Sequence, residues 1–497
     1  MKFKRSSGIL LHPSSLPGPY GIGDVGPNAL HWVDFLDQAG IGLWQVLPLG
    51  PTGYGDSPYQ CFSAFAGNPY LISPDSLIAD GLIKSEEITP LPAFPTDQVD
   101  FGWVINWKVA LLDKAFQNYS ASGTQALKAE FESFKNAQAS WLNDYALFMA
   151  IKDAHGGHPW TTWEAALRDR HPEALAQAAI QHQTTVERQK FLQFLFSRQW
   201  QTVLNYAHKK RIQVIGDIPI FVAHDSADVW ANPELFFLDD TGKPTVVAGV
   251  PPDYFSETGQ LWGNPLYRWD YHKKTGYAWW IKRFRSVLSL VDVVRLDHFR
   301  GFSGYWEIPG DAKTAVNGQW KQGPGLDFMA AVERELGSLP IIAEDLGVIT
   351  PDVVELRDTY NLPGMRIFQF AFDGDGTHAF LPHNYVINCV AYTGTHDNDT
   401  AQGWYERAPK NEVEIYRKYM NQNGSDFAWD LIRGVWSSVA VFGLAPMQDF
   451  LSLNNTARMN YPGNPSGNWS WRMKANVLTP ELAAKMKNIN FLYNRLK

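Results

Sequence analysis

The sequence predicts an α/β fold: a (β/α)8 barrel with large helical and loop insertions between strands. Three observations lead there. Eight short β-branched or apolar runs recur along the 497 residues. Amphipathic helical patterns lie between many of them. Several of the runs end in carboxylates, and catalytic groups of such barrels sit at the C-terminal strand ends.

The eight runs span 8–11, 42–49, 213–218, 291–297, 340–344, 365–370, 386–392 and 439–447. Several are almost continuously hydrophobic, as expected for parallel strands covered on both faces. Helical periodicity falls at 29–38, 326–336, 352–358 and 428–437, and Thr350-Pro351 places a proline at a first helical position. Two intervals are too long for simple crossovers. Residues 50–210 read as a mainly helical insertion, with patterns near 104–118, 124–153 and 174–209. Residues 221–290 read as a mixed insertion rich in Trp, Pro and Gly, carrying a loop able to cover a cleft. Neither a tandem repeat nor a low-complexity linker appears, so residues 1–497 are expected to form one catalytic unit.

Composition narrows the function. Hydrophobic residues make up 45% and charged residues 19% of the chain, enough to bury a sizeable core and few enough to exclude a disordered chain. The formal charge of −8 argues against a nucleic-acid partner. Two cysteines, Cys61 and Cys389, cannot make a disulfide framework or a Cys-rich zinc site. The apolar run after Lys2, Lys4 and Arg5 stops at His12-Pro13, too short for a signal peptide, and no stretch approaches the ~20 residues needed to span a membrane. The expected location is the cytoplasm, or the plastid stroma after processing. The unusual feature is twenty Trp. Most are expected to pack a core, but an indole face beside a polar N–H also suits a hydroxylated ligand with apolar faces, such as a sugar.

The segment GIGDVG at 21–26 matches a dinucleotide fingerprint in the wrong context: no strand feeds it directly, and no acidic residue closes a second strand about twenty residues on. A nicotinamide cofactor is rejected. The chemistry concentrates elsewhere. Arg295 and Asp297 are two apart near the end of the fourth run, so they share a strand face. Either they form a structural ion pair, or a cation favours the carboxylate form that a nucleophile needs. Glu344 ends the fifth run, as a capping carboxylate or as a general acid whose pKa burial would raise. His396, Asp397 and Asp399 follow the seventh run, as a polar turn or a metal site. Asp217 ends the third, as a turn residue or a fourth acid. In a barrel these groups would converge on one mouth, and paired carboxylates are the usual equipment for glycosidic chemistry.

At these positions the sequence resembles glycoside hydrolase family 77, the 4-α-glucanotransferases. The resemblance rests on SSLPGPYGIGD at 14–24, GYGDSPY at 53–59, GDIPIFV at 216–222 and GVPPDYF at 249–255. RLDHFRG at 295–301, AEDLG at 343–347, GTHDN at 394–398, ARMN at 457–460 and GNW at 467–469 extend it over nearly the whole chain. It implies a retaining double displacement on α-1,4-glucans and maltooligosaccharides without metal or cofactor. Asp297 would be the nucleophile, Glu344 the acid and then the base, and Asp397 the stabiliser of the transition state. The carboxyls of Asp297 and Glu344 should then lie about 5–5.5 Å apart. Substrate contacts are implied for Asp217, Arg295, His396, Trp262, Tyr254, Tyr54, Asp56, Ser57 and Asn468. Tyr54, with Phe101, resembles a secondary glucan-binding surface. Covering loops are implied at 249–256 and 454–468. Three other readings use the same residues: an α-amylase-type hydrolase, a glucan-binding protein with a dead site, and a metal hydrolase built on His396, Asp397 and Asp399. The sequence leaves the oligomeric state open.

Overall fold

The computed structural model describes residues 3–252, 256–337 and 339–497. All eight apolar runs form strands: β1 (Ser6–Leu10), β2 (Leu43–Gln45), β3 (Gln213–Ile218), β4 (Val293–Leu296), β5 (Ile341–Ala343), β6 (Gly364–Ile367), β7 (Cys389–Tyr392) and β8 (Phe442–Pro446). They close into a barrel in chain order, each strand hydrogen-bonded to its neighbours in parallel, with β8 returning to β1. Six of the eight strands are shorter than their apolar runs because ladder pairing ends where the chain turns out of the barrel.

Alternation along each strand builds the interior. Leu43, Ile215, Val293, Ile342, Val390 and Leu444 point inward and pack into one buried cluster with Met365 and Tyr392. Strand β1 contributes Gly8 to this ring. A Cβ there would stand 2.8 Å from both Leu43 Cβ and Leu444 Cδ2, so only a glycine fits. A step of two along the same strands then places Gln45, Asp217, Arg295 and Glu344 inward as well, one layer nearer the C-terminal mouth. A polar layer on an apolar floor thus follows from the period of the strand alone. Tyr392 joins it, its hydroxyl donating to Gln45 Oε1 at 2.9 Å.

The expected helices form with identifiable starts. Pro27–Gln38, Gly325–Leu336, Pro351–Thr359 and Phe427–Ser437 cover the barrel, and Pro351 occupies the first turn of its helix. The long insertion contains Phe101–Ser122 and Gln125–Ala154, capped by Asp100 accepting from Trp103 N and Thr124 accepting from Leu127 N. The pattern at 174–209 is two helices rather than one. Pro172–Gln181 and Gln183–Lys209 meet at His182, whose φ of −106° and ψ of 21° break the helix.

The mixed insertion carries two strands, Val246–Val250 and Gln260–Pro265, which pair with each other. Val246–Val250 pairs on its other side with Gly304–Pro309, and that strand with Gln319–Gln322, both of which follow β4, to make a four-stranded antiparallel sheet. One arm of this sheet therefore leaves the barrel directly after Asp297. The C-terminal residues tie the other end of the barrel. Arg495, fully buried, donates to the carbonyls of Trp436 (2.7 Å), Ser6 (2.9 Å) and Ala440 (2.9 Å), answering acceptors that burial would otherwise leave unpaired.

Candidate active site

Arg295 organises the mouth. Its Nη1 donates to Asp217 Oδ2 at 2.6 Å and its Nη2 stands 2.8 Å from Asp297 Oδ1. The pairing with Asp217 comes from register, since Asp217 and Arg295 are partners in the β3–β4 ladder. Burial works against the guanidinium charge, but Asp217 and Asp297 outweigh it and raise its pKa well above the ordinary value. Asp217 is sealed in and also accepts from the Tyr59 hydroxyl at 2.9 Å; burial raises its pKa while Arg295 opposes. Asp297 differs, with 28% of its side chain exposed to the mouth. One arginine thus holds a buried carboxylate on one side and an open one on the other.

Glu344 sits directly after β5, held by backbone donors on both oxygens. Oε2 accepts from His298 N at 2.7 Å and Oε1 from Leu346 N at 2.9 Å. His298, next in sequence to Asp297, reaches this geometry through a left-handed φ of 50°, a conformation costly for a residue with a Cβ. Burial pushes the Glu344 pKa up to about 7, with the charge of Asp297 adding to it and Arg295 opposing. Burial also lowers His298 to about 4, so its imidazole is neutral at working pH.

The third acid lies across the mouth. Asp397 Oδ1 accepts from Asn460 Nδ2 at 2.7 Å, and its carbonyl accepts from Arg458 Nη2 at 2.6 Å. Its side chain is 43% exposed. His396 is buried, its pKa lowered chiefly by desolvation. Tyr59 stacks on its ring at 5.1 Å and 15°, and Trp469 packs against both. Asp399 is turned away into an ion pair with Arg458, so the three residues weighed as a metal set do not share a centre; among the described residues no group of His, Cys, Asp or Glu is arranged to hold a metal ion.

The remaining predicted contacts spread around this centre. Trp262 is brought to the mouth by its strand, its ring edge-on to His298 at 4.8 Å. Tyr54 is 78% exposed on the turn Tyr54–Asp56, outside the mouth. Asp56 has a positive φ of 56° in that turn, and burial raises its pKa. Ser57 accepts through Oγ from Tyr59 N at 3.2 Å, so it shapes the turn that delivers Tyr59. Asn468 clasps its own loop, accepting from Tyr461 N at 2.9 Å and donating to Asn464 O at 3.0 Å. Phe101 is the first residue of the helix Phe101–Ser122, packed against the core. Tyr254 lies outside the described residues. Four residues of the centre, Tyr59, His298, Asn460 and Trp469, are not singled out by sequence reasoning, although each lies inside a motif quoted above; their position in those motifs was the available signal.

Comparison with known proteins agrees with this geometry. The chain is 50% identical over 495 residues to the 4-alpha-glucanotransferase of Thermus thermophilus, covering 98% of each chain. It is 45% identical to the chloroplastic/amyloplastic 4-alpha-glucanotransferase of Solanum tuberosum, covering 99% of this chain and 87% of the relative. In structure it superposes with a TM-score of 0.97 on amylomaltase from Streptococcus agalactiae in complex with acarbose, at 40% identity over 99% of this chain and 100% of that one. The family model for glycoside hydrolase family 77, described as 4-alpha-glucanotransferase, matches residues 11–479. A closed barrel with three carboxylates at its mouth and a match along nearly its whole length make this chain an enzyme of the family 77 4-alpha-glucanotransferases.

Proposed function

We propose that the enzyme moves a segment of an α-1,4-glucan to the 4-OH of an acceptor glucan or glucose by a retaining double displacement. One observation carries this reading: a solvent-facing carboxylate on Arg295 lies beside a second carboxyl that burial and that same neighbour keep protonated to about pH 7. Two carboxyls with separated roles are what glycosyl transfer with retention requires. In the first step an Asp297 oxygen attacks C1 of the donor sugar. The C1–O bond to the leaving chain breaks, and Glu344 gives its proton to that oxygen. In the second step the Glu344 carboxylate takes the proton of the acceptor 4-OH. The freed oxygen attacks C1, and the ester bond to Asp297 breaks.

Asp397 faces the same sugar with one oxygen steadied by Asn460, suited to ring hydroxyls whose hydrogen bonds strengthen as positive charge develops. Tyr59, Trp469 and His396 pack against one another as a cluster of flat rings beside it. Water must lose to the acceptor. Proximity of a bound 4-OH and exclusion of solvent supply that preference, and the segments 249–256 and 454–468 are the chain's candidates for covering the cleft. Tyr54 and Phe101 would bind glucan away from it.

Incubation with maltotriose tests this function. Transfer yields glucose and a ladder of longer maltooligosaccharides at constant total reducing ends. A steady rise in reducing ends contradicts it and favours the amylase-type reading; no product at all favours a binding protein.

The acid role fixes a pH dependence. Glu344 must carry its proton to begin the cycle, so kcat/KM is expected to fall as pH rises through about 7. Initial rates on maltotriose from pH 5 to 9 check this, and a profile flat through pH 8 contradicts the assignment.

A further inference from the structure

An exposed tryptophan on the antiparallel sheet stands apart from both the core and the mouth. Trp320 lies on the edge strand Gln319–Gln322, at the far side of the antiparallel sheet from Trp262, and is 43% exposed. Packing tryptophans of this chain, such as Trp280 and Trp436, are fully buried. Trp320 is nevertheless held firmly. Its cross-strand partner Trp306 lies 5.3 Å away at 68°, itself anchored by an Nε1–H donated to Ala315 O at 2.9 Å. The Arg300 guanidinium carbon sits 3.9 Å from the Trp320 ring centroid.

Arg300 connects this ring to the catalytic machinery. It is nearly buried and follows His298 by two residues; Nη1 donates to Val348 O and Nε donates to Gly304 O at 3.4 Å. Val348 is 60% exposed and lies two residues beyond Leu346, whose N–H fixes Glu344. Trp320 is therefore braced against the segment that leaves the acid/base residue, the side on which a leaving chain departs and an acceptor enters. Three strand spacings, about 14 Å, separate its strand from that of Trp262, so the ring stands outside the reach of a short oligosaccharide in the mouth.

The surroundings select the ligand chemistry. Arg300, the cation against the ring, is buried and donates to the Val348 and Gly304 carbonyls, and Lys321, on the opposite strand face, stands 3.5 Å from Glu307, so neither presents an open charge to an anionic partner. Gln322, two residues along the strand, is exposed on the same face as the ring, giving an amide for hydroxyl groups. An immobilised indole at low entropic cost, an exposed amide on the same face and a buried arginine already engaged by carbonyls fit a neutral chain of sugar rings. We propose that Trp320 is a stacking platform for the extended α-1,4-glucan on the acceptor side of the cleft, selecting for long chains. The proposal rests on reading the mouth as the site of glucan transfer.

The test compares wild type, Trp320→Ala and Trp320→Phe on amylose and on maltotriose, with native electrophoresis through glycogen-containing gels as a readout that needs no turnover. The platform predicts a roughly tenfold rise in KM for amylose in Trp320→Ala, while KM for maltotriose moves by less than about twofold. Trp320→Phe should restore most of the loss, and the retardation by glycogen should weaken in Trp320→Ala alone. An equal change on both substrates would reveal a merely structural role and overturn the proposal, as would unaltered amylose KM and gel retardation. If the wild type fails to disproportionate maltotriose, the underlying functional reading falls, while glycogen retardation still reports on the platform separately.

Discussion

Replacing Asp297 with Asn is expected to lower kcat/KM for maltotriose disproportionation by roughly 10⁴-fold or more, because the amide cannot form the ester intermediate. The fold should survive. Asp297 is part-exposed, and Arg295 keeps its 2.6 Å bond to Asp217 when the second partner loses its charge. The substitution carries a second signature. The charge of Asp297 is one of the causes that raise Glu344, so the Glu344 pKa should fall in Asp297→Asn. Infrared titration of the carboxyl band reads that shift. Retention of most transfer activity in Asp297→Asn would remove the nucleophile from the account.

The second large effect separates the two chemical steps. Glu344→Gln keeps a polar group of similar shape between His298 N and Leu346 N but has no acidic proton to give. With maltotriose, whose leaving group is a sugar alkoxide, a loss of about 10³-fold is expected, within the range of general acid catalysis. With a maltooligosaccharyl fluoride the first step needs no protonation, so glycosylation of the enzyme should persist while transfer to the acceptor, which needs the base, stays slow. The fall in rate above pH 7 should also disappear from the variant. Equal losses on both donors would show that Glu344 acts structurally.

The barrel was legible because its strands are buried on both faces, which leaves short apolar runs that no surface element shares. The catalytic acids were legible for a related reason: Asp217 and Glu344 each close such a run, where a charge has no packing role to explain it, and Asp297 closes one beside Arg295. The strands Gly304–Pro309 and Gln319–Gln322 left no comparable mark. They are short, half exposed and mixed in polarity, and the strands whose sheet they extend, at 246–250 and 260–265, lie across a barrel strand and the catalytic loop. Tyr59 and Trp469 escaped for the same reason. Their stacking against His396 joins three loops far apart in sequence, a relation set by barrel closure rather than by local pattern. The twenty Trp divide as composition could not divide them. Trp200, within a helical pattern, is fully buried, as are Trp32, Trp44, Trp230, Trp280 and Trp436, whereas Trp262 reaches the mouth and Trp320 the surface beyond it.

The claim at the centre of this account is that Asp297 bonds covalently to the transferred sugar. Mass spectrometry of Glu344→Gln quenched after exposure to a maltooligosaccharyl fluoride measures it directly. The account predicts a glycosylated peptide carrying the sugar on Asp297, and loss of the adduct in the additional presence of Asp297→Asn. Turnover of the fluoride with no adduct, or an adduct on another residue, would contradict it.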